Sequence, residues 1–249
     1  MHGAMVCIAA RLRQVPTPEP TPQVTPAMTK RLPTHQLAYE QLRDMVLFGE
    51  LPPGAAVTIE GLTARLGLGM TPVREAIRRL IAEGALALQG NRRVSVPRPG
   101  GGAIRDLGFA RRAIEPHLAA RAAEAEGRAG LLSDLHAIDT DLDDALARGD
   151  IRAYLRENHR FHFRLYRAAG SDVLVDLVQS LWLRFGPSLR VVCAASGDAV
   201  APDNHKIALD ALSRGDRASL EAAICADIMQ GEAMILSGLQ SGLLSSGSS

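Results

Sequence analysis

Cysteine is scarce in this 249-residue chain: there are three, Cys7, Cys193 and Cys225, far apart and in no CxxC spacing. That excludes a disulfide framework and a cysteine-built zinc site, and it fits a reducing compartment, the cytoplasm. Aromatic residues make up only 4% of the chain, which argues against a β-sandwich, while abundant alanine and leucine favour helices. No apolar run approaches the roughly 20 residues needed to cross a bilayer, so no membrane span is expected. HExxH, GxSxG and P-loop patterns are missing, which removes three common signatures of hydrolases.

Net charge is also small, +1 overall, but it is unevenly spread. Residues 1–98 carry 12 Arg and Lys against 7 Asp and Glu; residues 99–249 carry 16 against 20. A basic front half on a mildly acidic rear half points to an anionic partner for the front alone. Residues 1–30, rich in Pro and Thr, read as a disordered tail. The apolar stretch at 6–10 is too short for a signal-peptide core, and Met5 and Met28 are alternative starts. Residues 238–249, rich in Gly, Ser and Leu, read as a second, frayed tail.

Between the tails, Pro99-Gly-Gly-Gly102 breaks both helix and strand and marks a linker over 99–102. Residues 31–98 show three helical patterns and a hairpin. The first helix spans about 35–49. The second is capped by Thr58 and stopped by Gly67, and the third is entered through Thr71-Pro72. Strands at 85–89 and 93–97 flank a Gly90-Asn91 turn. Residues 103–237 show six amphipathic helices, roughly 103–127, 131–148, 150–169, 172–194, 201–214 and 216–237. Short connections between them predict an antiparallel bundle. The fold class is therefore mainly α: an N-terminal winged helix-turn-helix and a C-terminal all-α six-helix antiparallel bundle.

A helix-turn-helix lays the N-terminal end of its second helix in the major groove. Thr71, Arg74 and Arg78 stand there, with Arg74 able to grip a guanine edge through two hydrogen bonds. Asn91, Arg92 and Arg93 stand at the tip of the wing. The competing reading of these arginines is a solvated helix face shared with Glu75 and Glu83. The runs Leu51-Pro-Pro-Gly54, Leu62-Thr-Ala-Arg-Leu-Gly67, Thr71-Pro-Val-Arg-Glu-Ala-Ile-Arg-Arg-Leu80 and Asn91-Arg-Arg-Val-Ser-Val96 resemble the GntR family of bacterial regulators. The resemblance implies a homodimer on a short palindromic operator, with Arg74 as the main base-reading residue. Family members commonly carry Ser-Arg just before Thr-Pro. Here Gly69-Met70 stand in their place, so a helix cap and a contacting arginine are missing.

In the rear half, Asn158 and His162 share an apolar stripe one turn apart. His205 and Asp227 also lie on apolar faces, where unpartnered polar groups cost about 1–3 kcal/mol each. Converging, the four would bind a divalent metal such as zinc, nickel or manganese. Satisfied core histidines, with Asp227 paired to an arginine, are the plainer alternative. The runs Arg111-Arg-Ala-Ile-Glu115-Pro, Asn158-x-x-Phe161-His162, Ala169-Gly170 and Gly215-Asp216 are similar to the FadR-type ligand-binding (FCD) domain, in its six-helix VanR-like subgroup. Metal-binding members place an Asp and three His at the positions of Asn158, His162, His205 and Asp227. The resemblance implies a small carboxylate effector gripped by the metal and a basic side chain, with Arg111 and Arg184 as candidates and Arg112 in a surface ion pair. Two other functions stay open: a metal-free sensor, and a metal hydrolase using His162, His205 and Asp227, whose general base would have to be Glu157 or His159.

Overall fold

The computed structural model describes residues 32–90, 93–195 and 203–244. The expected tail at 1–30, Asn91 and Arg92 at the wing tip, and residues 245–249 lie outside them. The first helix, α1 (Thr34–Leu47), buries Ala38, Leu42, Met45 and Val46. These sit against Val73, Ala76, Ile77 and Leu80 of α3 (Met70–Ala82) in a common core. A polar clamp closes the same seam. Tyr39 donates to Glu83 at 2.9 Å, and Arg79 pairs with Glu83 at 3.0 Å while its guanidinium lies 3.6 Å over the Tyr39 ring.

Between α1 and α3 lies α2 (Ile59–Leu66). The Thr58 hydroxyl accepts from the Gly61 N–H at 3.1 Å, as a helix N-cap does. Gly67 ends the helix at φ +65°, a backbone that residues with a Cβ rarely adopt. The strands are shorter than their sequence patterns, β2 (Ala87–Leu88) and β3 (Val94–Ser95). Sequence pattern missed a third, β1 (Ala56–Val57), which pairs antiparallel with β3 in the order β1-β3-β2. Two residues are too few to show an alternation.

The bundle contains α4 (Gly101–Ala123), α5 (Arg128–Ala147), α6 (Ile151–Arg167), α7 (Asp172–Ala195), α8 (Asn204–Arg214) and α9 (Arg217–Gln240). Two boundaries differ from expectation. Gly101 and Gly102 of the expected linker already belong to α4. The last helix runs three residues past 237, with Ile235 and Gly238 buried and Leu244 packed beyond its end. Burial there overrides the weak helix propensity of Gly and Ser.

By length and composition α9 could cross a membrane, against the expectation that nothing in the chain could. In this fold it is a bundle helix. It buries Leu220, Ala223, Ile224 and Ile228 in the core, and its Glu232 pairs with Arg112 of α4.

The head and the bundle share one hydrophobic core rather than swinging on a linker. The C-terminal end of α1 docks on α6 and α7. A methyl group on Gly186 would overlap the Leu47 carbonyl oxygen, so glycine permits the close approach. Glu50 is shared by Arg65 of α2 and Arg152 of α6. Phe48 meets His159 of α6 edge-on, ring centroids 5.8 Å apart.

Candidate functional site

Two places carry chemistry, one on each side of this seam. On the head, α3 starts at Met70 behind Gly69, which offers no side-chain cap. Thr71, Arg74 and Arg78 are exposed, and neither arginine has an ion-pair partner among the described residues. Arg79, on the same helix, is tied to Glu83 and Tyr39. The two free arginines thus differ from an ordinary ion-paired helix face. Arg93 is exposed at the start of β3. The free N–H groups of the first turn of α3 and the side chains beside them present a donor-rich, positive surface to solvent.

In the bundle, His162 of α6, His205 of α8 and Asp227 of α9 converge, with ligand atoms of all three within 4.8 Å of one another. The Nε2 atoms of the two histidines are 3.2 Å apart, and His162 Nε2 is 3.1 Å from Asp227 Oδ2. The surroundings fix how the His162 ring is turned. Glu115 of α4 accepts from Arg111 Nε at 2.6 Å and Nη2 at 3.1 Å, from Trp182 Nε1 at 3.1 Å, and from the Tyr166 hydroxyl at 2.7 Å. Burial first and Glu115 next push the Tyr166 phenol well above its usual pKa of 10.0, so it keeps its proton and donates it to Glu115. The Tyr166 oxygen then accepts from His162 Nδ1, 2.9 Å away. That contact turns the His162 Nε2 toward His205 and Asp227.

The His205 ring is stacked on Phe161, centroids 4.2 Å apart, and its Nδ1 faces Asp139 Oδ1 at 3.9 Å. That oxygen is buried without a hydrogen bond of its own. Burial pushes the His205 imidazole down to about 4 despite the neighbouring Asp227. Burial alone would raise the Asp227 carboxyl; His162, then His205 and Arg111, bring it below the ordinary carboxylate range. Two imidazole nitrogens and a carboxylate oxygen thus converge from three helices. Adjacent ligands of a four-coordinate zinc, at bonds of about 2.0–2.1 Å, stand roughly 3.3 Å apart, close to the two short separations here. The donor set fits a divalent metal.

Three of the four expected ligands thus come together. The fourth, Asn158, is buried one turn before His162 and borders a void of about 10 Å³ with Leu47, Phe48 and Trp182. The structure gives it no hydrogen bond to the other three.

The two expected effector arginines lie in different surroundings. Arg111 is 2% exposed and already holds a carboxylate, that of Glu115. Its guanidinium is packed 4.4 Å from the Trp182 ring centroid and 4.7 Å from that of Phe185. Arg184 is exposed, in surface grooves beside Gly84 of the head. Two residues along a helix is about 200° around it, so burying Trp182 and Phe185 sends Arg184 outward. Arg112 does form an ion pair, with Glu232.

Sequence reasoning missed Glu115, Tyr166, Trp182 and Asp139. The i, i+4 spacing of Arg111 and Glu115 was the available signal. Neither residue considered as a hydrolytic base serves as one. Glu157 pairs with Arg160 on the surface, and His159 is stacked on Phe163 against α1.

A winged head with an unpaired basic helix, fused to an all-helical domain with a buried polar centre, defines the class of two-domain DNA-binding regulators. Residues 34–96 match the profile of bacterial regulatory proteins of the gntR family, and residues 106–229 that of the FCD domain. The chain is 28% identical to the HTH-type transcriptional regulator McbR of Escherichia coli K12 over 198 residues, 78% of this chain and 89% of McbR. It is 30% identical to a probable D-xylose utilization operon transcriptional repressor of Paenarthrobacter nicotinovorans over 212 residues, 79% of this chain and 87% of that protein. The solved structure of E. coli McbR/YncC superposes with a TM-score of 0.73 at 25% identity, covering 84% of this chain and 99% of that one. The protein belongs to the GntR family of transcriptional regulators, with an FCD domain as its second part. These domains and relatives are those of DNA-binding regulators, not of enzymes.

Proposed function

We propose that this regulator is a cytoplasmic repressor that binds a palindromic operator as a homodimer, and that a small carboxylate metabolite modulates this binding from a divalent metal centre built on His162, His205 and Asp227. The carrying observation is the 3.2 Å approach of two imidazole Nε2 atoms beside a carboxylate. A bound zinc, nickel or manganese ion supplies a positive charge with coordination positions left open for an anionic oxygen. Tyr166 orients His162, Phe161 and Asp139 orient His205, and Glu115 holds Tyr166 and Arg111 in place. With Arg111 engaged by Glu115, the effector's carboxylate is bound through the metal.

The route to DNA is short. The same helix, α6, turns His162 toward the centre and His159 toward Phe48 of α1, and α1 packs on α3. A shift of α6 on effector binding therefore moves the recognition helix of each head. In a dimer, half-site spacing is fixed by the duplex, so small rotations change affinity.

Zinc titration followed by thermal unfolding tests the centre. At zinc 100-fold above Kd, binding to the native state is worth about 2.7 kcal/mol, which raises the midpoint of a protein this size by roughly 5–10 °C. His205→Ala should abolish that rise. An equal rise in both proteins would remove His205 from the site. A metal-free cluster, with one proton between the nitrogens, would leave the wild type unmoved by zinc, nickel and manganese alike.

A further inference from the structure

Met70 is the first residue of α3 and is 49% exposed. The fold gives it no role in the apolar stripe of that helix, which is Val73, Ala76, Ile77 and Leu80. It lies one turn before Arg74, and Arg78 follows one turn later, so the three form a single outward strip. Gly69, just before it, carries no side chain that would hold a duplex away. An apolar side chain therefore stands in water beside two unpaired arginines, on the end of the helix that enters the major groove.

The chemistry of the groove narrows what such a side chain can meet. A thioether has no donor and is a weak acceptor, so the polar base edges that suit arginine do not suit Met70. The apolar feature of the major groove is the C5-methyl group of thymine. Methionine is unbranched and flexible, so it can lie along that methyl without demanding one exact position. The four residues from Met70 to Arg74 advance about 6 Å, against roughly 3.4 Å per base step.

We propose that Met70 is a specificity-determining residue that reads a thymine methyl group within two base pairs of the guanine held by Arg74. This rests on the reading of α3 as the base-contacting helix. In the half-site, Arg74 selects a guanine by paired hydrogen bonds, and Met70 selects its neighbour by burying a methyl group. An arginine at position 70 would select a guanine or grip a phosphate instead.

The test uses the full-length protein and the duplex it recovers by selection from random sequence. Each thymine is replaced in turn by deoxyuridine, which removes the methyl group and keeps every hydrogen bond. The wild type should lose about fourfold in affinity per half-site at one position, the worth of one buried methyl group, and little elsewhere. Met70→Ala should bind the thymine and deoxyuridine duplexes equally. Met70→Arg should lose the thymine preference and gain guanine there. A wild type indifferent to deoxyuridine at every position overturns the assignment, as does a Met70→Ala protein that keeps the full methyl preference. Recovery of no site by the wild type sinks the base-contacting role of α3 as well, which separates the two failures.

Discussion

Replacing Arg74 with alanine abolishes recognition of the operator while the protein stays folded. The side chain is exposed and has no ion-pair partner among the described residues, so its removal leaves no buried group there unsatisfied. On DNA it is one of few groups on the outer strip of α3 able to offer two parallel N–H donors to a guanine. A bidentate contact of this kind is worth about 1–3 kcal/mol of discrimination. In a homodimer on a palindrome the loss is counted twice, so specific binding should fall by roughly 30-fold to 10⁴-fold. Fluorescence anisotropy with specific and scrambled duplexes at one fixed salt concentration measures it, because non-specific affinity is itself strongly salt-dependent. Far-UV circular dichroism and the thermal midpoint should match the wild type. Arg79→Ala provides the contrast. That arginine is bound to Glu83 and Tyr39, so its loss should weaken the α1–α3 seam. An Arg74→Ala protein that still discriminates fully would remove Arg74 from the reading surface.

The second large effect is on stability. Arg111 and Glu115 are 3% and 0% exposed and form a close ion pair. Burial works against the Arg111 charge, and Glu115 outweighs it, so the guanidinium is held more firmly protonated than usual. Arg111→Met leaves the Glu115 charge buried with only Tyr166 and Trp182 to satisfy it. Breaking a buried pair from one side costs about 3–5 kcal/mol, which lowers the thermal midpoint by roughly 6–20 °C for a chain of this size. Removing both charges in Arg111→Met/Glu115→Leu should recover much of that loss, because no lone charge remains. If the single variant unfolds within about 1 kcal/mol of the wild type, the pair is not the anchor that holds Tyr166 and Trp182 around the centre. Under the proposed function, an effector carboxylate that captured the Arg111 guanidinium would have to break this pair.

Much of the architecture was legible because local chemistry set it. Thr58 and Gly67 bracket α2 where a cap and a left-handed residue are needed, and Asp216 caps α9 through the Ser219 N–H at 3.0 Å. Periodicity placed all six bundle helices to within a few residues. The illegible parts depend on partners distant in sequence. The β1–β3 pairing joins residues nearly forty apart, with only two residues to announce it. The extension of α9 past 237 depends on what covers Ile235 and Gly238, not on their neighbours in the chain.

The same division runs through the site. His162, His205 and Asp227 could be nominated because polar residues on apolar faces demand partners. That they meet is a tertiary fact. Arg111 is named through the family resemblance as a carboxylate-binding residue, and the carboxylate it holds in the fold is that of Glu115, packed with Trp182. Arg184 points away from Trp182 and Phe185, because proximity in sequence to those two aromatics is not proximity in space on a helix.

Selection of random duplex DNA by the full-length protein tests the central claim, that the exposed end of α3 reads base edges. The account predicts enrichment of a short inverted repeat containing a guanine in each half-site, and loss of that guanine from the sequences enriched by Arg74→Ala. A wild-type pool indistinguishable from the starting library at moderate salt, with and without zinc, would contradict it.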